Sequence, residues 1–294
     1  MNGLLLVDKP EGFTSFDVVA VVRRLTSQRK IGHTGTLDPN ATGVLPLLLG
    51  NAAKAQDIIP NHDKEYKAEF KLGLRSDTLD IWGEITEKNE SNAKKSQLEE
   101  ILGSFRGEIE QIPPMYSAVS VNGQRLYDLA RKGIEVERKP RSVTVYELEL
   151  LDFDEENQSG KLRVFCSKGT YIRTLIDDIG RALGSGAVMT KLDRTKACGF
   201  LKEECIPLEK LKQLSPAEIE KLLIPTEYLF KTIPELWVSE AQARRFSHGG
   251  ALDITRTSLR NKEAENKIFR VKYDGGFFGL GIVKDNELKI YKHF

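Results

Sequence analysis

From Glu65 to Leu72 polar and apolar residues alternate one by one, which predicts a strand with one buried face. Other apolar runs are uninterrupted. "GLLLVDKP" at the N-terminus and "VLPLLLG" from Val44 to Gly50 read as buried strands. "TSFDVVAVVRRLTSQ" has a different period: Val18, Val21, Val22 and Leu25 share one helical face, and Thr14 with Asp17 forms a capping box. A helix is also expected over "NAAKAQDIIP" and another from Ser96 to Phe105, capped by Ser96 with Glu99. "YSAVSVNGQRL" reads as a strand ending in an Asn-Gly turn, and "RLYDLARKG" as a short helix closed by Gly133. "RSVTVYELELLDF" and "GKLRVFCSKG" form an antiparallel pair, and "TYIRTLIDDIGRALG" is a helix with Gly184 past its last turn. "VMTKLDRTKACGFL" is a further strand.

Strands that arrive in hairpins rather than in strict βαβ alternation predict an α+β fold around a large, mostly antiparallel mixed sheet flanked by helices. The pattern shifts after about Pro225. "SEAQARRFSHGG" is a short capped helix, and three strands follow, "KIFRVKY", "FFGLGIV" and "ELKIYKHF", joined by tight turns. The expected division is residues 1–230 as the main domain and 231–294 as a small β domain.

Composition narrows the class. In 294 residues, 40% are hydrophobic and 30% charged, which fits a globular chain. No apolar run approaches the roughly 20 residues of a bilayer span. The N-terminus lacks a basic region and a long enough apolar run for a secretory signal. Three cysteines at irregular spacing argue against a disulfide framework and for a reducing, cytoplasmic setting. The scattered histidines and cysteines match no zinc-ligand spacing. Basic and acidic residues balance, 44 against 43, but "RRLTSQRK" carries four positive charges and no negative one. Arg125, Arg131, Lys132, Arg138, Lys139 and Arg141 cluster farther on. Such clusters can face phosphates, or merely solvent.

Three stretches carry candidate chemistry. In "GHTGTLDPNATG" the single carboxylate, Asp38, is followed by Pro39, which fixes its own φ and keeps Asp38 out of the helical region. Gly32, Gly35 and Gly43 permit backbone shapes that other residues resist. A stiff loop aims its side chain, though an aspartate before proline also simply starts turns. In "CSKGTYIRTLIDDIG", Arg173 lies in the first helical turn, where it can pair with a loop carboxylate or a phosphate, or face solvent. Tyr66 on the alternating strand is either a core tyrosine or a stacking platform for a base. The phosphate-loop pattern, the nucleophile-elbow pattern and a second matched carboxylate are all missing, which disfavours nucleotide hydrolases, serine hydrolases and glycosidases.

Taken together and in order, "LLLVDKPEGFTSFDVV", "GHTGTLDPNATGVLP", "KEYKAEFKLGLRSDTLD", "IEQIPPMYSAVSVNGQRLYDLARKGIEV", "CSKGTYIRTLIDDIG" and "LDRT" resemble the TruB-type tRNA pseudouridine synthases, strongly from about Gly3 to Phe200. The C-terminal part resembles a small, β-barrel-like RNA-binding PUA domain more weakly. The resemblance implies isomerisation of uridine 55 in the tRNA T loop, after base flipping, with neither cofactor nor metal. It implies that Asp38 is the catalytic carboxylate, that Arg173 pairs with it, and that Tyr66 stacks on the uracil. Leu192 matches an apolar pocket residue, and His33 matches a histidine beside the flipped nucleotides. Lys9 and Pro10 match the motif that lies near the catalytic loop. From charge and position, Lys132 and Arg141 are expected along the RNA path and Arg194 beside the substrate strand. The C-terminal meander would reach the acceptor stem, and the chain would act as a monomer. Two other readings stand beside this one: an RNA-binding, tRNA-folding chaperone, and a related synthase acting on another RNA.

Overall fold

The computed structural model describes residues 1–121, 123–260 and 263–294. Seven strands form the frame of a ten-stranded sheet: β1 (Gly3–Lys9), β2 (Thr42–Leu49), β3 (Lys64–Leu72), β4 (Gly107–Gln111), β5 (Arg141–Asp154), β6 (Ser159–Cys166) and β7 (Ala187–Ala197). The order across the sheet is Ile206–Pro207, β1, β2, β7, β3, β6, β5, β4. Ile31–His33 adds to β2 and Phe200–Leu201 to β7. Along that path β2 meets β7 in parallel and Ile206–Pro207 meets β1 in parallel, while the other neighbours are antiparallel.

The hydrophobic patterns explain the two halves of this sheet. β1 and β2 are apolar at consecutive positions because both of their faces are covered. Leu5, Val7, Leu45 and Leu47 pack against Val18 and Val22 of helix α1 (Ser15–Thr26), while Leu4, Leu6, Val44 and Leu48 fill a core on the other side. β3 alternates because only one face is buried. Tyr66, Ala68, Phe70 and Leu72 join a core with Leu175, Ile176 and Ile179 of helix α2 (Ile172–Ala182). α1 begins as its capping box predicts: the Asp17 N–H donates to Thr14 Oγ1 (3.0 Å) and the Thr14 N–H to Asp17 Oδ2 (2.8 Å). α2 lies close on the sheet because Gly180 has no Cβ, which would fall 2.3 Å from the Ala187 nitrogen. That contact fixes α2, and so Arg173, against β7.

Two helix expectations shift. The segment after Gly50 is a 3₁₀ helix, Gly50–Ala55, rather than a longer α-helix. Its buried residues, Ala52 and Ala55, are three apart, the 3₁₀ period. The helix predicted from Ser96 spans Lys95–Leu102 and continues as a 3₁₀ turn. It is capped by the Gln97 side chain accepting from the Lys94 N–H and by Glu155 accepting from the Lys95 N–H, not by Ser96 with Glu99. The Asn-Gly turn falls on residue 122, outside the described residues.

The C-terminal strands form a separate curled five-stranded sheet in the order Glu235–Trp237, Ile268–Tyr273, Gly276–Lys284, Glu287–His293, Leu252–Asp253, consistent with a PUA-like domain. Its own core holds Leu236, Phe246, Val271, Val283 and Leu288. Phe277 and Phe294 turn outward onto Phe230, with ring centroids 6.5 and 5.3 Å away. The two units therefore share a seam of aromatic side chains at Phe230. No helix among the described residues is long and apolar enough to cross a membrane.

Candidate active site

The loop between Ile31–His33 and β2 is fastened along its length. Buried Ser15 holds Leu37 twice: its Oγ accepts from the Leu37 N–H (2.8 Å) and donates to the Leu37 carbonyl (3.2 Å). The Pro39 carbonyl accepts from the Gly12 N–H (3.0 Å) and from Lys9 Nζ (3.0 Å). The Asp38 carbonyl closes a tight turn with the Ala41 N–H (3.1 Å). Both neighbours of Asp38 are thus pinned, and its side chain, 43% exposed, is left to face a cleft.

Lys9 itself is 0% exposed and donates to the Pro10 and Phe13 carbonyls as well as to Pro39. Burial pushes its amine down to about 8, against the opposing pull of Asp38. Between pH 8 and its ordinary value of 10.5 the unfolded chain binds the Lys9 proton and the folded one releases it, so stability rises with pH across that window. Urea unfolding from pH 7.5 to 10.5 will show this rise in the wild type and a smaller one in Lys9→Met.

Gly43 is the glycine the loop cannot replace. It has φ +104°, and a Cβ there would lie 2.2 Å from the Arg194 carbonyl oxygen. Gly43→Ala will cost about 3 kcal/mol or more, from left-handed strain plus overpacking, read as a shift in urea midpoint. Gly32 and Gly35 do not have positive φ and are small for a different reason: a Cβ would meet the Gln56 side chain at 2.7 Å and the Lys64 side chain at 3.0 Å respectively.

Opposite the loop stands Arg173, whose side chain is 8% exposed. Its Nη2 lies 3.0 Å from Asp38 Oδ2 and donates to the Tyr116 carbonyl (2.9 Å). Its Nη1 donates to the Thr78 carbonyl (2.9 Å) and lies 3.6 Å from Asp80 Oδ2. The planar guanidinium therefore bridges two carboxylates and two carbonyls, which a single ammonium cannot do. The backbone that carries it is anchored in turn: the Tyr171 N–H donates to Gln111 Oε1 (2.9 Å), and Gln111 Nε2 donates to the Tyr171 carbonyl (3.2 Å).

Asp80 was not among the residues singled out from sequence. It sits in a polar turn that a pattern search reads as loop. The turn reaches the site through long-range pairing, with the Ile81 N–H donating to the Met189 carbonyl (2.9 Å) and the Met189 N–H to the Leu79 carbonyl (3.2 Å). Burial raises the Asp80 carboxyl above its ordinary range, opposed by hydrogen bonding from Thr78 and by Arg173.

The cleft has a volume of about 450 Å³, suited to a nucleoside-sized ligand. Asp38, Arg173, Tyr66, His33 and Leu192 all line it. Tyr66 is 6% exposed, and burial pushes its phenol up to about 12, so it presents a neutral hydroxyl at neutral pH. His33 is pushed down by burial and then by Arg194, which favours the neutral ring. Its Nδ1 is buried with no hydrogen-bond partner among the described residues. Lys64, which is buried, and Lys168 and His62 also line it.

The peripheral expectations divide. Lys9 and Pro10 lie where the N-terminal motif meets the loop. Lys132 and Arg141 are exposed, Lys132 beside a shallow hollow with Arg125 and Asp128. Arg141 pairs in register with Gln111, the residue that anchors Tyr171. Arg194 corrects the expectation of a place beside the substrate strand: it is 0% exposed and spends its donors inside the protein.

Comparison with known proteins agrees with this geometry. Residues 23–172 match the TruB family pseudouridylate synthase N-terminal domain, and residues 173–231 match the tRNA pseudouridylate synthase B C-terminal domain. The chain is 43% identical to tRNA pseudouridine synthase B of Clostridium tetani over 99% of both chains. It is 44% identical to the enzyme of that name from Geobacillus thermodenitrificans over 86% of both. Its fold superposes on a chain of a Cbf5–Nop10–Gar1 complex with TM-score 0.72 at 27% identity, covering 96% of this chain and 78% of that one. A chain of an H/ACA ribonucleoprotein bound to a substrate RNA shares the fold with TM-score 0.71 at 24% identity, covering 99% of this chain and 84% of the other.

Proposed function

The chain belongs to the TruB family of pseudouridine synthases, and from that premise we propose that it isomerises uridine 55 in the T loop of tRNA, with Asp38 as the catalytic carboxylate. The observation that carries this reading is the 3.0 Å pair between Asp38 and Arg173 at a cleft floored by Tyr66 and Leu192. The reaction breaks the bond from uracil N1 to ribose C1′ and joins C5 to C1′. C5 loses its proton to solvent and N1 gains one, so the reaction is redox-neutral overall and transfers no phosphoryl group. A base within a folded loop must first swing out of its stack, at a cost of a few kcal/mol. Tyr66 offers a flat ring to the flipped uracil, and Leu192 an apolar wall. His33, neutral and planar, stacks in the space the nucleotide leaves. Arg173 holds Asp38 aimed at the sugar and base.

Residues 1–230 act as the catalytic domain and 231–294 as an RNA-binding domain. The protein works as a cytoplasmic monomer on free tRNA, without guide RNA. Full-length identity to proteins named tRNA pseudouridine synthase B favours this over a guide-dependent relative. Lys132 and Arg141 lie along the RNA path, and the C-terminal sheet meets the acceptor stem. Arg244 and Arg245, exposed on the Glu240–Ser247 helix, are suited to that stem. Reversing both to Glu will weaken binding of whole tRNA more than of an isolated T-stem-loop, and will flatten the salt dependence of tRNA binding, measured by filter retention. To test the position modified, an unmodified tRNA transcript treated with the protein is mapped by carbodiimide labelling and primer extension. A single stop reporting residue 55 is expected, and stops elsewhere would reassign the substrate.

A further inference from the structure

We infer that Arg194 is a positioning residue, an internal clamp that ties together the two arms of the loop carrying Asp38; this rests on the reading of that loop as catalytic. Arg194 Nε donates to the Val44 carbonyl (2.7 Å), after the loop. Its Nη2 donates to the Gly35 carbonyl (3.1 Å) and its Nη1 to the Thr36 carbonyl (3.4 Å), before the loop. One planar group thus spans the base of the loop, joining Gly35 and Thr36 to Val44, which lies nine and eight residues farther along the chain. The backbone adds to the clamp, since Arg194 pairs in register with Gly43 on one side and with Tyr66 on the other. The same residue therefore stands between the loop that aims Asp38 and the strand that presents Tyr66.

Its chemistry suits that task. A fully buried cation carries a heavy desolvation cost and is normally matched by a carboxylate. Here the three hydrogen bonds within 3.5 Å go to backbone carbonyls, with the Tyr66 phenol close by, so the charge is solvated by neutral groups, chiefly those of the loop. Opening the loop would strip the guanidinium of those partners, which sets a penalty against any motion of Asp38. The fork is essential, because each of the three carbonyls is met by a different nitrogen of the guanidinium. A lysine keeps the charge and cannot reach both arms.

The test uses full-length protein and a T-stem-loop tritiated at uracil C5. Arg194→Lys and Arg194→Met are compared with wild type in single-turnover tritium release, stem-loop affinity and melting temperature. Both variants are expected to lose about 10²-fold in rate, the scale of a ~1 Å misplacement, with stem-loop Kd within about threefold of wild type. Their melting temperatures are expected to fall by up to about 10 °C, since buried carbonyls lose a partner, while affinity is kept. A Lys variant that turns over within about threefold of wild type overturns the clamp. So does a parallel fall of rate, affinity and melting temperature, or failure of both variants to fold, since either makes Arg194 part of the scaffold alone. Absence of tritium release by the wild type is a different failure, that of the catalytic reading itself.

Discussion

Asp38→Asn will bind tRNA about as well as the wild type and will form no measurable pseudouridine. The loss should be at least about 10⁴-fold, because the variant removes the carboxylate that the pinned loop presents to the cleft beside Arg173 and leaves the pinning intact. Leu37 remains held by Ser15, and Pro39 by Gly12 and Lys9, through contacts that do not involve the Asp38 side chain. Asparagine has the same shape and can still accept from Arg173 through its amide oxygen. Fold and RNA contacts should therefore survive while the charge is lost. Pseudouridine content of tRNA after incubation, alongside filter-binding affinity, reads both halves of the prediction. Retained turnover would remove Asp38 from the chemistry.

Arg173→Lys will lose about 10²–10³-fold in turnover with little change in fold, the second largest effect expected. The guanidinium meets Asp38, Asp80, Thr78 and Tyr116 from two nitrogens. An ammonium is a point charge and can serve one or two of these partners at a time. Arg173→Met is harsher. It leaves two carboxylates sharing one partly buried site with no cation between them, and like charges favour uptake of a proton. Asp80, already raised by burial, will rise further. A steady-state rate comparison across Arg173, Lys and Met will show the order Arg far above Lys, and Lys above Met. Near-normal turnover of the Lys variant would mean that charge alone suffices and that the fork does not position Asp38.

Much of the site was legible because its signals are local. Asp38 before Pro39, the alternation that puts Tyr66 on the buried face, and Arg173 in the first turn of an amphipathic helix are each written within a few residues. The capping box at Thr14 and Asp17 is equally local, and it forms as read. What the chain hides is what depends on distant partners. Asp80 reaches Arg173 only because the turn around it pairs with Met189. The cap of the Lys95–Leu102 helix depends on Glu155, which belongs to the turn between β5 and β6. Arg194 illustrates the same limit. Its charge suggested RNA, yet strand alternation places it on the same face as Leu192, two residues earlier, which lines the cleft. An arginine at an inward position of a central strand is a signal for an internal strut, and it outweighs charge alone.

The most direct measurement is tritium release from a T-stem-loop labelled at uracil C5, with wild type and Asp38→Asn side by side. Joining C5 to the ribose expels that tritium into water, so release reports the new bond itself. Release by the wild type and none by Asp38→Asn is the predicted result. Equal release by both proteins, or release by neither from stem-loop or whole tRNA, would contradict the assignment of Asp38 as the catalytic carboxylate of a tRNA pseudouridine synthase.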